Sequence, residues 1–301
     1  MRISTLYMFK QSAESMSKRV SENNEVYMKL SSGKTLLRAS DDPQGATDAI
    51  RYQDALSQLE LYSDARSRMR GTLQHEENIL NGVNALYATL NEKAVAAGNI
   101  QDGQNEVSHA LAAEIKGLRD NLLDLANNRD SSGRYIFAGY MTDKEAFDDK
   151  GDYQGGRDVQ TQSVAEGTEM PSGHLGSEVF YVGSNSIFSV VDKALEELNK
   201  TPVDKSTLGP AIENLMENLS SGLEKVGKAQ AEIGTNLQQL DALDTNGDVL
   251  IRDTIEKVEN AIGSDYETMT SLIMDSKMSE FALNASMMVF QSMQKMNLFN
   301  R

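Results

Sequence analysis

Three histidines are the side chains of this sequence best suited to acid–base or metal chemistry, and their spacing favours neither. His75, His109 and His174 fall in three different segments, and none has a second histidine or a metal-type spacing beside it. A metal site needs several ligands brought to one point, and such ligands usually leave a recognisable spacing. We therefore expect each histidine to be solvated or packed, and the sequence predicts no metal ligand and no catalytic residue.

The acidic segment 244–248, with the sequence DTNGD, invites comparison with a calcium-binding loop. If Gly247 were the sixth position of an EF-hand loop, Ala242 would have to be an acid and Asp253 a bidentate glutamate. Because both requirements fail, a break or kink in a helix is the better interpretation. Glycine-rich phosphate loops and the GxSxG motif of hydrolases are also missing, so we expect no cofactor and no enzymatic activity.

Composition excludes further classes of function. The 301 residues contain no cysteine, which rules out disulfides, zinc–thiolate sites and thiol nucleophiles. The net charge is −16, and it is uneven: residues 1–70 hold 11 Lys/Arg against 9 Asp/Glu, and the remainder holds 18 against 36. An acidic chain is unsuited to nucleic acid, which requires a basic face. No apolar run is long enough for a membrane span, and no apolar segment marks a standard secretory signal.

The strongest pattern in the sequence lies at its two ends, where apolar residues recur with alternating spacings of three and four. This spacing gives each terminal helix a narrow apolar stripe, typical of a coiled-coil seam. A stripe of this kind must meet another helix, so we interpret both ends as an assembly interface, formed with each other or with other subunits. The first seam comprises Leu6, Phe9, Ala13, Met16, Val20, Asn23, Tyr27 and Leu30, and the second comprises Met278, Ala282, Ala285, Val289, Met296 and Phe299.

Between the ends, residues 43–98 show the longest periodic pattern and predict one continuous helix. Its two heptad positions are apolar or aromatic except at Arg66 and Glu76. These two residues could set register or pairing, or they could lie at a partly open edge of the helix pair. A second helix follows, with a stripe from Val107 to Leu125, and a third long helix is expected after Pro210.

Residues 133–184 change in character, because glycine becomes frequent and aromatic and β-branched residues cluster. Runs such as 179–182, with the sequence VFYV, predict short strands separated by turns. The predicted fold is mainly α with a small β-rich insert, in which long antiparallel helices from both halves of the chain form a rod-like bundle. The predicted domains are a terminal helix and connector at 1–42, a discontinuous helical domain at 43–132 and 185–264, the insert at 133–184, and a terminal helix at 265–301.

Two stretches resemble the bacterial flagellin superfamily. Residues 30–34 (LSSGK) followed by 39–43 (ASDDP) are similar to its N-terminal region, and the C-terminal helix ending in 297–299 (NLF) is similar to its C-terminal region. Residues 133–140 (GRYIFAGY), just after 122–127 (LLDLAN), resemble more narrowly the hook-associated members of that superfamily.

The resemblance implies a structural subunit of the bacterial flagellum that joins the hook to the filament through its terminal helices. Its expected partners are hook-associated protein 1, flagellin, other copies of itself in a ring, and an export chaperone that holds the C-terminal helix. It implies an extracellular location reached by type III export without a cleaved signal. Two alternatives stay open at this point: a flagellin that forms the filament itself, and a cytoplasmic coiled-coil adaptor or signalling rod.

Overall fold

The computed structural model describes the backbone of residues 2–298 and the side chains of residues 7–295, and it is mainly helical. The helices are α1 (Arg2–Ser32), α2 (Pro43–Gly98), α3 (Asn105–Ala126), α4 (Gly176–Val179), α5 (Ile187–Leu198), α6 (Lys205–Ile262) and α7 (Tyr266–Leu298), with a 3-10 turn at Ile136–Ala138. The strands are β1 (Thr161–Ala165), β2 (Thr168–Pro171), β3 (Tyr181–Val182) and β4 (Asn185–Ser186). The predicted fold class, mainly α with a small β-rich insert, is confirmed.

The starts of the two longest helices follow from capping chemistry. Asp42 precedes α2, and its Oδ1 accepts a hydrogen bond from the Gln44 amide at 3.1 Å. Asp204 precedes α6 in the same way and accepts from the Ser206 amide at 2.8 Å. An aspartate in this position satisfies backbone amides that have no partner inside the helix.

α6 begins earlier than expected, and of the break or kink expected at residues 244–248, the break is wrong. The helix begins at Lys205 rather than after Pro210, because Asp204 caps its start, and Pro210 lies in its second turn. It also continues without interruption through residues 244–248 to Ile262. Asp244 stays within the helix, since its carboxylate is paired with Arg66 and Arg70 on α2 instead of turning back to the local backbone.

The chain divides into two compact units, one comprising residues 1–60 with 247–301 and the other comprising residues 61–246. In the second unit, the residues at the heptad positions of α2 lie at the centre of the hydrophobic core. Leu73, Leu80, Val83, Tyr87 and Leu90 are fully buried against apolar residues of α3, α5 and α6. The predicted seam of α2 is therefore confirmed as a buried helix face.

The insert contains less strand than its aromatic clusters predict. β1 pairs with β2, and β3 with β4, each as an antiparallel two-stranded sheet. The aromatic run at 135–140 forms the 3-10 turn, and only the end of the run 179–182 is a strand. The aromatic rings are used for packing: Phe147 lies within 5.4 Å, centroid to centroid, of both Phe180 and Phe188.

In the first unit, the connector after α1 is fixed to the end of α6. The Thr35 and Leu36 amides donate to the Ile262 carbonyl at 3.1 and 3.0 Å. Gly263 has a φ of 64°, and a Cβ there would lie 1.8 Å from the Thr35 hydroxyl. The connectors that lead into α2 and out of α6 are thus joined by backbone hydrogen bonds, and this junction holds the bases of α1 and α7.

A candidate assembly surface on the terminal helices

Within the first unit, α1 and α7 pack against each other, so each terminal seam has a partner in its own chain. The rings of Phe9 and Phe290 lie 5.2 Å apart, centroid to centroid. Further along, Asn23 is buried and its Nδ2 donates to the Ser279 hydroxyl at 3.3 Å. The sequence allowed the terminal helices to pair with each other or with other subunits, and in this structure they pair with each other. The apolar residues that this pairing leaves exposed indicate whether other subunits are also needed.

The face of α7 that meets α1 combines serines with larger apolar residues. Leu272 and Ser276 are buried, and the remaining members of this inner face are half-buried: Ser279, Leu283, Ser286, Phe290 and Met293. Three of the seven are serines, which bring little apolar area to a contact. The apolar part of the contact between α1 and α7 therefore comes from the other four residues, Leu272, Leu283, Phe290 and Met293.

The opposite face of α7 is large and apolar. Met274, Met278 and Phe281 are 73%, 69% and 70% exposed, and Met288 is exposed as well. Together with Ala285, these residues form a second stripe with the same 4-3-4-3 spacing as the inner face. Each member lies two positions after a member of the inner face, which corresponds to a rotation of about 200° around the helix axis. We call these five residues the outer face of α7. A soluble helix normally exposes its polar face, whereas α7 carries large apolar side chains on its exposed face as well as on the face that meets α1.

The predicted interface residues divide between covered and exposed positions. On α1, Asn23 is buried; Phe9, Ala13, Met16 and Leu30 are half-buried; and Val20 and Tyr27 are exposed. On α7, Ala282 and Ala285 are half-buried, and Met278 and Val289 are exposed. The side chains of Leu6 and Met296, and the whole of Phe299, lie outside the described residues.

A groove of about 420 Å³ runs between α1 and α7. Its walls include the small residues Ser12, Ser15, Ala285 and Ser286, and the longer side chains of Met8 and Val289 stand beside them. Small residues at a helix–helix groove leave a hole into which a large side chain of a third helix can fit. The groove and the outer face of α7 form a continuous candidate surface, because Ala285 belongs to both.

Arg66 and Glu76, the two polar residues in the seam of α2, are fully enclosed in the second unit. Arg66 is 3% exposed; its Nε donates to Asp244 and its Nη1 donates to the Val164 carbonyl of β1 at 2.9 Å. Arg70, one turn later, donates to Asp244 at 2.8 Å. Partial burial opposes ionisation of Asp244, but the two guanidinium groups outweigh it and hold its pKa below the usual range. The interpretation of a partly open edge is wrong.

Glu76 forms the centre of a second buried group. One of its oxygens accepts from the backbone amide of His174 at 3.1 Å and lies 2.9 Å from the Nδ1 of that histidine. The Nε2 of His174 lies 3.0 Å from Glu232 on α6. Burial acts to lower the pKa of His174, but the two carboxylates outweigh it and raise the pKa above its usual value.

His174 is therefore packed, as expected, but its role as a bridge between two helices was missed. Its partners lie 98 and 58 positions away in the sequence, so no local spacing could reveal them. His75 and His109 lie apart from it: the His75 Nε2 is 3.4 Å from the Arg129 carbonyl, and the His109 Nε2 is 3.3 Å from the Thr201 hydroxyl. Among the described residues, no group of three or more potential ligands could hold a metal ion. Nor does any helix in that part of the chain have the length and apolarity needed to cross a membrane.

Comparisons with known proteins agree with the architecture of the terminal helices. Residues 3–142 match the family described as the bacterial flagellin N-terminal helical region. Flagellar hook-associated protein 3 of Salmonella typhimurium is 33% identical over 99% of both chains. Flagellin of Bacillus subtilis is 23% identical over 76% of this chain and 79% of its own.

Solved structures show the same fold. Flagellar hook-associated protein 3 from Legionella pneumophila superposes with a TM-score of 0.62 at 17% identity, covering 69% of this chain and 97% of its own. Identity of one third over nearly the full length of both chains goes beyond a shared fold. The chain is a flagellar protein and belongs to the flagellar hook-associated protein 3 family.

Proposed function

We propose that this protein is a structural subunit that joins the flagellar hook to the filament, and that it docks through the outer face of α7 and the groove beside it. The full-length similarity to flagellar hook-associated protein 3 supports the location. The observation that carries the mode of docking is the exposed apolar face of α7, since the α1 partner in the same chain leaves it uncovered.

The proposed partners are hook-associated protein 1 on the hook side, flagellin on the filament side, and further copies of this chain in a ring. Large apolar side chains such as Met278 and Phe281 are costly to leave in water, so a neighbouring subunit would cover them on assembly. Before assembly the same face would need a temporary partner, and we propose an export chaperone for that role. The protein would act outside the cell, as a structural component and not as an enzyme.

The predicted division into terminal assembly regions, a discontinuous helical domain and an insert is part of this proposal. The terminal segments 1–42 and 265–301 would supply the docking helices. The helical domain and the insert would form the rest of the subunit. The aromatic packing of Phe147 with Phe180 supports a scaffolding role for the insert.

A pair of substitutions two residues apart tests the docking face. Phe281→Asp places a charge on the outer face, where an interface would have to bury it, so incorporation into flagella should fall at least about tenfold. The melting temperature of the purified chain should not change, because Phe281 is exposed. Leu283→Asp is the matched control, because it places the same charge on the inner face and should loosen α1 from α7 in the free chain.

Immunogold labelling of intact cells tests the location. Label confined to the boundary between hook and filament supports the proposal. Label along the whole filament would instead favour a flagellin, and label in the cytoplasm would favour an adaptor. If Phe281→Asp were incorporated as well as the unmodified chain, the outer face of α7 would not be the docking surface.

A further inference from the structure

A pocket with an excess of positive charge lies in the second unit of this acidic chain. It has a volume of about 690 Å³ and lies where α2 meets the loop after α3. Arg68, Arg129 and Arg134 line it, and Asp130 is the only carboxylate among the lining residues. The chain as a whole has a net charge of −16, so this local excess of positive charge stands out. Such a pocket attracts an anionic group.

The single carboxylate of this pocket is already committed to its own loop. Asp130 accepts from the Ser132 amide at 2.8 Å, from the Arg134 amide at 3.0 Å and from the Arg134 Nε at 2.9 Å. Partial burial opposes ionisation, but these donors outweigh it and hold the pKa of Asp130 below its usual range. Asp130 thus offsets Arg134. Arg129 shares the Tyr135 hydroxyl with Glu145, and neither Arg68 nor Arg129 forms a direct ion pair among the described residues.

Of the other two cations, Arg129 is held in place and Arg68 is accessible to a partner. The guanidinium of Arg129 lies 4.4 Å from the centroid of the buried Tyr135 ring and donates to its hydroxyl. Stacking of this kind orients the planar donor fork of an arginine. Arg68 is exposed on α2, and in the described part of the chain it makes no ion pair. The residues Arg68, Thr72 and His75 follow one face of the helix toward the loop, at spacings of four and three residues.

We propose that this basic pocket, comprising Arg68, Arg129 and Arg134 with their surrounding loop, receives an acidic segment of a second copy of the chain. The proposal rests on the proposed function and identifies one contact between neighbouring subunits. Each copy carries both the pocket and, over residues 71–301, twice as many acidic as basic residues. A contact between two different surfaces of identical subunits is head-to-tail, and such contacts close into a ring when the rotation between neighbours closes.

The hydrogen-bond donors of the lining residues suit carboxylates. Ser131, Ser132 and Thr72 bring hydroxyl groups to the pocket, and the three arginines bring guanidinium groups. Arginines can bind carboxylates through two parallel hydrogen bonds, so Asp or Glu side chains of a neighbouring subunit fit the chemistry.

The absence of cysteine in the sequence permits a direct test in intact flagella. Ser131→Cys, at the exposed rim of the pocket, is labelled with a photoactivated cross-linker, and the joined peptides are identified by mass spectrometry. The expected product is a dimer of this chain, in which the partner peptide contains at least two acidic residues. Adding Arg68→Glu should lower the yield about tenfold, because like charges then face each other.

Lys116→Glu is the matched control, since Lys116 is an exposed cation on α3 and undergoes the same change in charge. It should leave the cross-link yield unchanged, and both variants should keep the melting temperature of the unmodified chain. Cross-linking to another protein, no cross-link, or an equal yield with Arg68→Glu would overturn the proposal while leaving the proposed function intact. Absence of the unmodified chain from flagella would overturn the proposed function itself, and this contact with it.

Discussion

The seam of α2 and the seam of α7 follow the same heptad rule but differ in where their partners lie. Around Leu80 and Tyr87, the seam of α2 is covered completely by helices of its own unit. On α7, the face that meets α1 is rich in serine, and the opposite face exposes Met278 and Phe281. A heptad pattern therefore establishes that a helix needs a partner but does not say whether the chain provides one.

Polar residues sharpen the contrast between the two seams. In the seam of α2, Arg66 and Glu76 bind charged or backbone groups that come from distant parts of the same unit. In the seam of α1, Asn23 donates to the hydroxyl of Ser279. The first arrangement contributes mainly to the stability of the folded chain, whereas the second is suited to choosing one register among several.

The largest expected effect comes from removing the charge of Arg66. Arg66→Met should lower the free energy of unfolding by about 3 kcal/mol, because the Val164 carbonyl loses its donor and Asp244 loses one of two cations. Arg68→Met, two positions away and exposed, should change it by less than about 0.5 kcal/mol. Urea denaturation followed by circular dichroism measures both. If Arg66→Met and Arg68→Met changed the free energy of unfolding equally, the buried polar groups of α2 would contribute no more to stability than its surface residues.

A smaller, pH-dependent effect is expected from His174. Its pKa is raised in the folded chain, so its contribution to stability is fully present below the unfolded pKa and is lost as pH rises through the folded value. The groups that face it are Glu76 and Glu232, with Lys228 paired to Glu232 and Glu178 and Lys225 nearby. The stability difference between the unmodified chain and His174→Gln should shrink from pH 6 to pH 9.

Measuring the difference between the two chains at each pH cancels the titration of groups that they share. Chemical denaturation at several pH values is sufficient, and the nuclear magnetic resonance signal of the His174 ring gives the folded pKa directly. A difference that grows with rising pH would show that the two carboxylates do not hold a proton on this ring.

Sequence alone predicted the long helices and the buried face of α2, because heptad spacing is a local property. It failed where tertiary partners decide the outcome. The stripe predicted on α3 included Val107, which is exposed, whereas Ser108 and Arg119 are buried one position along. Arg119 can be buried because the Asp192 carboxylate and the Asp149 carbonyl accept hydrogen bonds from its guanidinium group. These two partners lie 73 and 30 positions away in the sequence, so no local pattern indicates them.

The candidate surface on α7 was predicted in part for a related reason. Met278 and Val289 are exposed, as an interface to other subunits requires, but Met274 and Phe281 were not included. A helix that is apolar on two faces permits more than one heptad register, and only packing against α1 separates the two faces. The exposed fraction of each side chain, which follows from that packing, supplies the missing distinction.

A small effect on stability is expected from substitution of Asn23. This substitution tests most directly whether the terminal helices differ from the seam of α2. A polar residue within a coiled-coil seam costs stability and specifies register, so Asn23→Leu should stabilise the contact between α1 and α7 by up to about 1 kcal/mol. Hydrogen exchange of the α1 amides would measure this gain. Asn24→Leu is the matched control, since residue 24 is exposed and should leave α1 protection unchanged.

Incorporation into flagella should respond to Asn23→Leu in the opposite direction. With the Asn23–Ser279 hydrogen bond removed, α1 can slide along α7, and the groove that contains Ala285 is no longer aligned with one set of α1 residues. A variant that is more stable as a free chain but is incorporated less efficiently would show that the terminal pair is built for register. If Asn23→Leu improved both stability and incorporation, α1 and α7 would be an ordinary packed pair, and the contrast with α2 would lose its basis.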